Sequence, residues 1–141
     1  MVNKSLEKIM YAEDEPDIQE IVKMALELVG GYTVRICDSG EEALETVGEF
    51  APDLILLDVM MPGMDGPTTM KALRERTDSA DIPVILMTAK VQPHEVAQYR
   101  EQGALDVISK PFDPMTLWAT IETMWQGRKQ VLSRPNAAPS T

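Results

Sequence analysis

Acids, a hydroxyl and an ammonium fall at the carboxyl ends of short apolar runs. Glu13-Asp14-Glu15 follow Lys8–Ala12, Asp58 follows residues 54–57, Thr88-Ala89 follow residues 84–87, and Lys110-Pro111 follow residues 107–109. Each has an ordinary reading alone: acids favour a helix start, an aspartate opens a turn, a threonine caps, a lysine is solvated. Together they make one constellation. Neighbouring unpaired carboxylates repel, so a cluster drawn from two runs asks for a cation. A hard divalent ion with oxygen ligands, Mg²⁺ or alternatively Mn²⁺, suits one or two carboxylates plus water and phosphate oxygens. A carboxylate can also attack a phosphoryl group and become an aspartyl phosphate. In that chemistry Asp58 is the nucleophile, and Glu13 and Asp14 hold the metal. Thr88 and Lys110 neutralise the phosphoryl oxygens. Carboxylate attack needs no catalytic base.

These residues are useful only if the fold brings the run ends to one rim. The runs, with Thr33–Cys37 added, are short and rich in Val, Ile and Leu. Such runs suit strands of a parallel sheet buried on both faces. Amphipathic stretches lie between them. One follows Pro16 with Ile18, Ile21, Val22, Ala25, Leu26 and Val29 at helical spacing. Others follow Ser39, Pro67 and Pro93, and the last, after Asp113 and Pro114, carries Leu117, Trp118, Ile121, Met124 and Trp125. Asp113 is the expected N-cap and Pro114 the first helical residue. The strand–helix alternation predicts an α/β fold, an open doubly wound parallel sheet with helices on both faces. In such sheets ligands bind beyond the carboxyl ends of the strands, where the strand order reverses. Asp38-Ser39, after the second run, receive no role.

Length and composition agree. The chain has 141 residues, 44% hydrophobic and 26% charged, as expected of one folded domain. We expect it to span 1–127, with 128–141 a disordered tail or the start of a linker. No apolar run approaches the roughly 20 residues of a membrane span, and no signal-peptide core opens the chain, so the expected location is cytoplasmic. A single cysteine and a single histidine argue against a disulfide or a Cys/His metal site. With 13 basic against 23 acidic residues, net −10, direct nucleic-acid binding is disfavoured. The ten methionines are read as core fillers, and His94 as a surface residue.

Four motifs stand in order: Tyr11-Ala12-Glu13-Asp14-Glu15-Pro16, Leu56-Leu57-Asp58-Val59-Met60-Met61-Pro62-Gly63-Met64-Asp65-Gly66, Met87-Thr88-Ala89 and Ser109-Lys110-Pro111-Phe112. With them the chain resembles the receiver domain of bacterial two-component response regulators, the CheY-like family, over roughly residues 8–126. The resemblance implies a flavodoxin-like five-stranded sheet of order 2-1-3-4-5, the order the CheY fold is known for. It implies Asp58 as phosphoryl acceptor and a sensor histidine kinase or histidine phosphotransfer protein as donor. Asp14 becomes a direct Mg²⁺ ligand, Glu13 one acting through water, and Met60 a ligand through its backbone carbonyl. Thr88, the Ala89 backbone and Lys110 contact the phosphoryl group, and the Lys110–Pro111 peptide is cis. Met60 and Lys90 occupy positions that tune phosphoryl lifetime. The output is a downstream protein docked on the face of the fourth helix, fifth strand and fifth helix, with the domain a monomer or weak dimer and not itself an enzyme.

Two positions depart from the family pattern. Glu13 stands where aspartate is commoner. Val107, three residues before Lys110, stands where an aromatic usually swings on activation. Other readings stay open: a receiver cut from a longer regulator with a DNA-binding or enzymatic output half, or a metal-dependent phosphatase with an aspartate nucleophile. The latter would want an Asp-x-Asp pair after the first strand, which is absent. No Gly-x-Gly-x-x-Gly supports a dinucleotide enzyme, and an acidic rim would repel a flavin phosphate.

Overall fold

The structure is a computed structural model describing residues 4–89 and 91–132, with side chains described to residue 128. Five strands, β1 (Lys8–Ala12), β2 (Thr33–Cys37), β3 (Leu54–Asp58), β4 (Val84–Thr88) and β5 (Asp106–Ser109), form one sheet. Every pairing is parallel and the order is β2-β1-β3-β4-β5. The crossovers carry α1 (Pro16–Met24), α2 (Gly40–Phe50), α3 (Gly66–Arg74) and α4 (Pro93–Glu101), and α5 (Leu117–Leu132) follows β5. The last turn of the first helix widens into a π-helical segment, Ala25–Val29.

Side-chain alternation along the strands divides the core in two. Ile9, Tyr11, Leu54, Leu56, Ile85, Met87 and Ile108 face one side and pack with Val22, Leu26, Leu117, Ile121 and Trp125 of the first and last helices. Met10, Ala12, Ile55, Leu57, Val84, Leu86 and Val107 face the other and pack with Ala43, Val47, Met70 and Leu73. With both faces covered, β3 and β4 are buried throughout, which is why they read as continuous apolar runs.

Helix starts follow local chemistry. The Ser39 hydroxyl accepts from the Glu42 backbone N–H at 3.0 Å, and Asp65 Oδ1 accepts from that of Thr68 at 2.9 Å. Pro16, Pro67 and Pro93 sit in first turns, where no backbone N–H is needed. Asp113 Oδ1 accepts from the Met115 backbone N–H at 2.9 Å, capping a turn that leads into α5 at Leu117 rather than a helix starting at Pro114. That helix runs to Leu132, five residues into the segment expected as tail; the remaining residues, 133–141, lie outside the described ones. Trp125 is buried in the core, but Trp118, expected on the same stripe, is 36% exposed. The methionines divide likewise: Met10, Met61, Met70 and Met87 fill the core, while Met24, Met60 and Met115 are exposed.

Candidate functional site

β3 and β4 each run one residue further than their apolar stretches. The Val59 backbone N–H donates to the Met87 carbonyl at 2.8 Å, and that of Lys110 to the Thr88 carbonyl at 2.9 Å. Asp58 and Thr88 are therefore the last residues of their strands, held by the ladder instead of sitting in free turns. β1 stops at Ala12, and the Glu13 N–H still donates to the Cys37 carbonyl at 3.0 Å. Strand order β1-β3-β4-β5 then puts Glu13, Asp14, Asp58, Thr88 and Lys110 along one rim.

Carboxylate oxygens of Glu13, Asp14 and Asp58 lie within 4.8 Å of one another. Glu13 and Asp58 are buried, and Asp14 is half-buried. Lys110 Nζ donates to Asp58 Oδ1 at 2.8 Å and reaches Glu13 Oε1 at 3.4 Å. Burial pushes the Asp58 pKa up; Lys110 opposes that rise, and the charges of Glu13 and Asp14 add to it. Desolvation by itself would lower the Lys110 pKa, but Asp58 and Glu13 reverse this and the ammonium is held above its ordinary value. Three carboxylates against one ammonium leave two negative charges uncompensated, the charge a divalent cation would balance. The donors are all hard oxygen, so the set fits Mg²⁺ or a similar ion and not a soft metal.

Not every sequence-predicted residue sits in this cluster. Thr88 is buried at the end of β4. Ala89, next to it, is exposed and lines a largely apolar cleft with Ile18, Ile21, Lys110, Pro111 and Phe112. The Lys110–Pro111 peptide is cis. The Met60 side chain is 77% exposed and turns away from the core. Lys90 lies outside the described residues. Val107 is buried among Met61, Val59 and Ala104, with Val96 and Tyr99 of α4 packed against the same cluster. Tyr99 of α4 is thus an aromatic side chain on the same core layer as Val107.

Sequence reasoning missed the supports of Glu13. The Tyr11 hydroxyl donates to Glu13 Oε1 at 2.9 Å, and the Glu15 backbone N–H to Oε2 at 3.1 Å. Gln19 Nε2 bridges the Glu13 carbonyl and Asp38 Oδ1, giving the end of β2 a part it was not assigned. Burial, then the Glu13 charge and hydrogen bond, push the Tyr11 pKa far above the usual phenol range, so it stays a donor. The available signal was a tyrosine in an otherwise aliphatic strand, two residues before an acid and hence on its face. Gly66 packs against the same corner: a Cβ there would meet the Asp58 carbonyl oxygen at 2.5 Å.

The profile of the response regulator receiver domain matches residues 9–122. The chain belongs to that family. Among its curated relatives, the DNA-binding response regulator MtrA of Mycolicibacterium smegmatis is 38% identical over 115 residues, covering 82% of this chain and 49% of the relative. The phosphate regulon regulator PhoB of Escherichia coli is 38% identical over 117 residues, 83% and 51% respectively. The receiver thus spans about half the length of the curated relatives it matches. Among solved structures, the chemotaxis response regulator CheY4 of Vibrio cholerae superposes with a TM-score of 0.78 at 29% identity, covering 85% of this chain and 99% of that one. The receiver domain of a signal transduction histidine kinase from Syntrophus aciditrophicus gives 0.74 at 36% identity, covering 87% and 92%. The chain is accordingly a response regulator receiver domain, a domain of two-component signalling. Receiver domains bind Mg²⁺ at an acidic pocket, and this chain carries an acidic group, Glu13, Asp14 and Asp58, that could hold a metal ion.

Proposed function

We propose that this receiver takes a phosphoryl group from a phosphohistidine, on a sensor histidine kinase or a histidine phosphotransfer protein, onto Asp58. The observation that carries the reading is the Glu13–Asp14–Asp58 group with Lys110 Nζ 2.8 Å from Asp58 Oδ1. In the transfer an Asp58 oxygen forms the new bond to phosphorus and the P–N bond breaks, its electron pair staying on the imidazole nitrogen. Lys110, Thr88 and the Ala89 backbone N–H receive the phosphoryl oxygens. Asp14 and Asp58, the Met60 carbonyl and, through water, Glu13 would hold Mg²⁺ or Mn²⁺. Bound there, the ion supplies charge neutralisation for the transferring group. The apolar cleft beside Ala89 and Lys110 offers a seat for a helix bearing the donor histidine. Met60 presents no group to orient an attacking water, which favours slow self-hydrolysis.

The output surface in this reading is α4, β5 and α5. No residue of α4 is buried, so that helix is held by few contacts and can shift at little cost. Its partner is a protein. A net charge of −10 disfavours DNA as a direct ligand of this domain, and a cytoplasmic site of action follows from the proposed kinase partner. A second reading, with the domain joined to a DNA-binding half, is favoured by relatives of about twice the matched length whose names include DNA binding. The length of the native gene tests it.

The phosphorylation reading is tested with acetyl phosphate and Mg²⁺. We expect acid-labile incorporation of one phosphoryl group, abolished in Asp58→Asn. Full labelling of that variant would move the acceptor elsewhere.

A further inference from the structure

Tyr11 is fully buried, and its ring packs in the core between the sheet and the first and last helices. Its only polar atom donates at 2.9 Å to Glu13 Oε1, and Glu13 is itself fully buried. Every other residue of β1 facing either core layer is apolar. The same ring without the hydroxyl would fill the space equally well, so the hydroxyl is the feature that needs a reason. The Glu13 carboxylate has roughly four lone-pair positions. Tyr11 and Lys110 use those of Oε1, and the Glu15 N–H uses one on Oε2. One position remains, in a carboxylate whose plane is held at both oxygens. Of the two contacts to Oε1, the Lys110 one is long, at 3.4 Å, and that lysine also serves Asp58. Of the two partners of Oε1, Tyr11 is the one whose hold does not depend on what happens at Asp58; the Glu15 N–H holds the other oxygen.

We propose that Tyr11 is a positioning residue of the cation site: its buried hydroxyl aims the Glu13 carboxylate and thereby sets the affinity of the Glu13–Asp14–Asp58 group for a small divalent ion. The inference rests on the receiver reading of that group. Mg²⁺ demands near-ideal octahedral geometry, whereas larger ions tolerate a carboxylate that wanders. Loss of the hydroxyl should therefore cost Mg²⁺ more than it costs Ca²⁺. Partners of a direct ligand typically change metal affinity by about 10–100-fold; Tyr11 acts on a carboxylate that would reach the ion through water, so its effect should fall at the low end of that range.

The experiment measures Mg²⁺ and Ca²⁺ dissociation constants by competition with Mn²⁺, whose free ion is read by EPR, for the parent chain, Tyr11→Phe, Glu13→Gln and the double variant. Circular dichroism checks the fold of each. We expect Tyr11→Phe to weaken Mg²⁺ by roughly tenfold and Ca²⁺ by less, and to have no further effect once Glu13 is glutamine. An Mg²⁺ constant unchanged in a folded Tyr11→Phe protein overturns the inference while leaving the receiver reading intact. An equal loss in the Glu13→Gln background also overturns it, since the hydroxyl would then act on the fold and not through the carboxylate. A parent chain that binds neither ion overturns both.

Discussion

Lys110 Nζ sits 2.8 Å from Asp58 Oδ1, although Asp58 ends β3 and Lys110 follows β5, with β4 between those strands. The ammonium crosses the end of β4 to reach the carboxylate. The pair pins the buried Asp58 carboxylate, and in the proposed phosphotransfer Lys110 would turn to a phosphoryl oxygen instead. The arrangement has consequences for metal binding, pH, packing and switching.

Asp14 is the half-buried member of the acidic group and the one facing solvent. Asp14→Asn removes a charged ligand from an ion that relies on one or two carboxylates. Mg²⁺ affinity, measured by competition with Mn²⁺, should fall at least about tenfold while the circular dichroism spectrum is kept. An unchanged affinity would place the ion elsewhere.

The raised pKa of Asp58 fixes a sign. The folded chain holds this proton more tightly than the unfolded chain, whose aspartates titrate near ~3.9. The group's stabilising contribution is thus complete below that value and is lost as pH rises through the higher folded pKa. Above it, the ionised Asp58 opposes folding. Without divalent ion at pH 7, Asp58→Asn should melt about 2–4 °C higher than the parent. The gap should close toward pH 4. Calorimetry across that range checks it, and a parent that melts higher than the variant at pH 7 contradicts it.

Gly66 lets α3 begin directly against the strand that ends in Asp58. A Cβ there would stand 2.5 Å from the Asp58 carbonyl oxygen and 3.0 Å from Val59 Cα, both backbone atoms that cannot swing aside. Gly66→Ala should cost about 1–3 kcal/mol in urea unfolding. Gly127→Ala, inside α5 with open space around it, should instead stabilise by about 0.5–1 kcal/mol and serves as the contrasting control.

The switch should work without an aromatic on β5. Thr88 and Lys110 can bond phosphoryl oxygens only when these are present, and that differential affinity is what moves a two-state balance. Beryllofluoride, standing in for the phosphoryl group, should shift amide NMR signals of residues 88–103 more than those of 41–49. Tyr99, which packs from α4 against the Val107 cluster, should be among the side chains most affected. Equal shifts in both segments would count against the switch.

Much of this was legible in the sequence because the relevant physics is local. Five apolar runs separated by amphipathic stretches force a parallel sheet covered on both faces, and the acids, hydroxyl and ammonium then fall at strand ends by chain order alone. The position of Asp58 at the end of β3 needed no coordinates. What the sequence could not decide was pairing across distance. That Tyr11 turns its hydroxyl to Glu13, that Gln19 joins Glu13 to Asp38, and that Lys110 prefers Asp58 to Glu13 depend on side-chain directions fixed by packing. The burial of Trp125 and the exposure of Trp118 have the same origin: periodicity names the face of a helix, but only the neighbour it packs on decides how much of that face is covered. Helix ends belong here too, since α5 passes Gly127 to reach Leu132, continuing through a residue that local propensity alone would take as a stop.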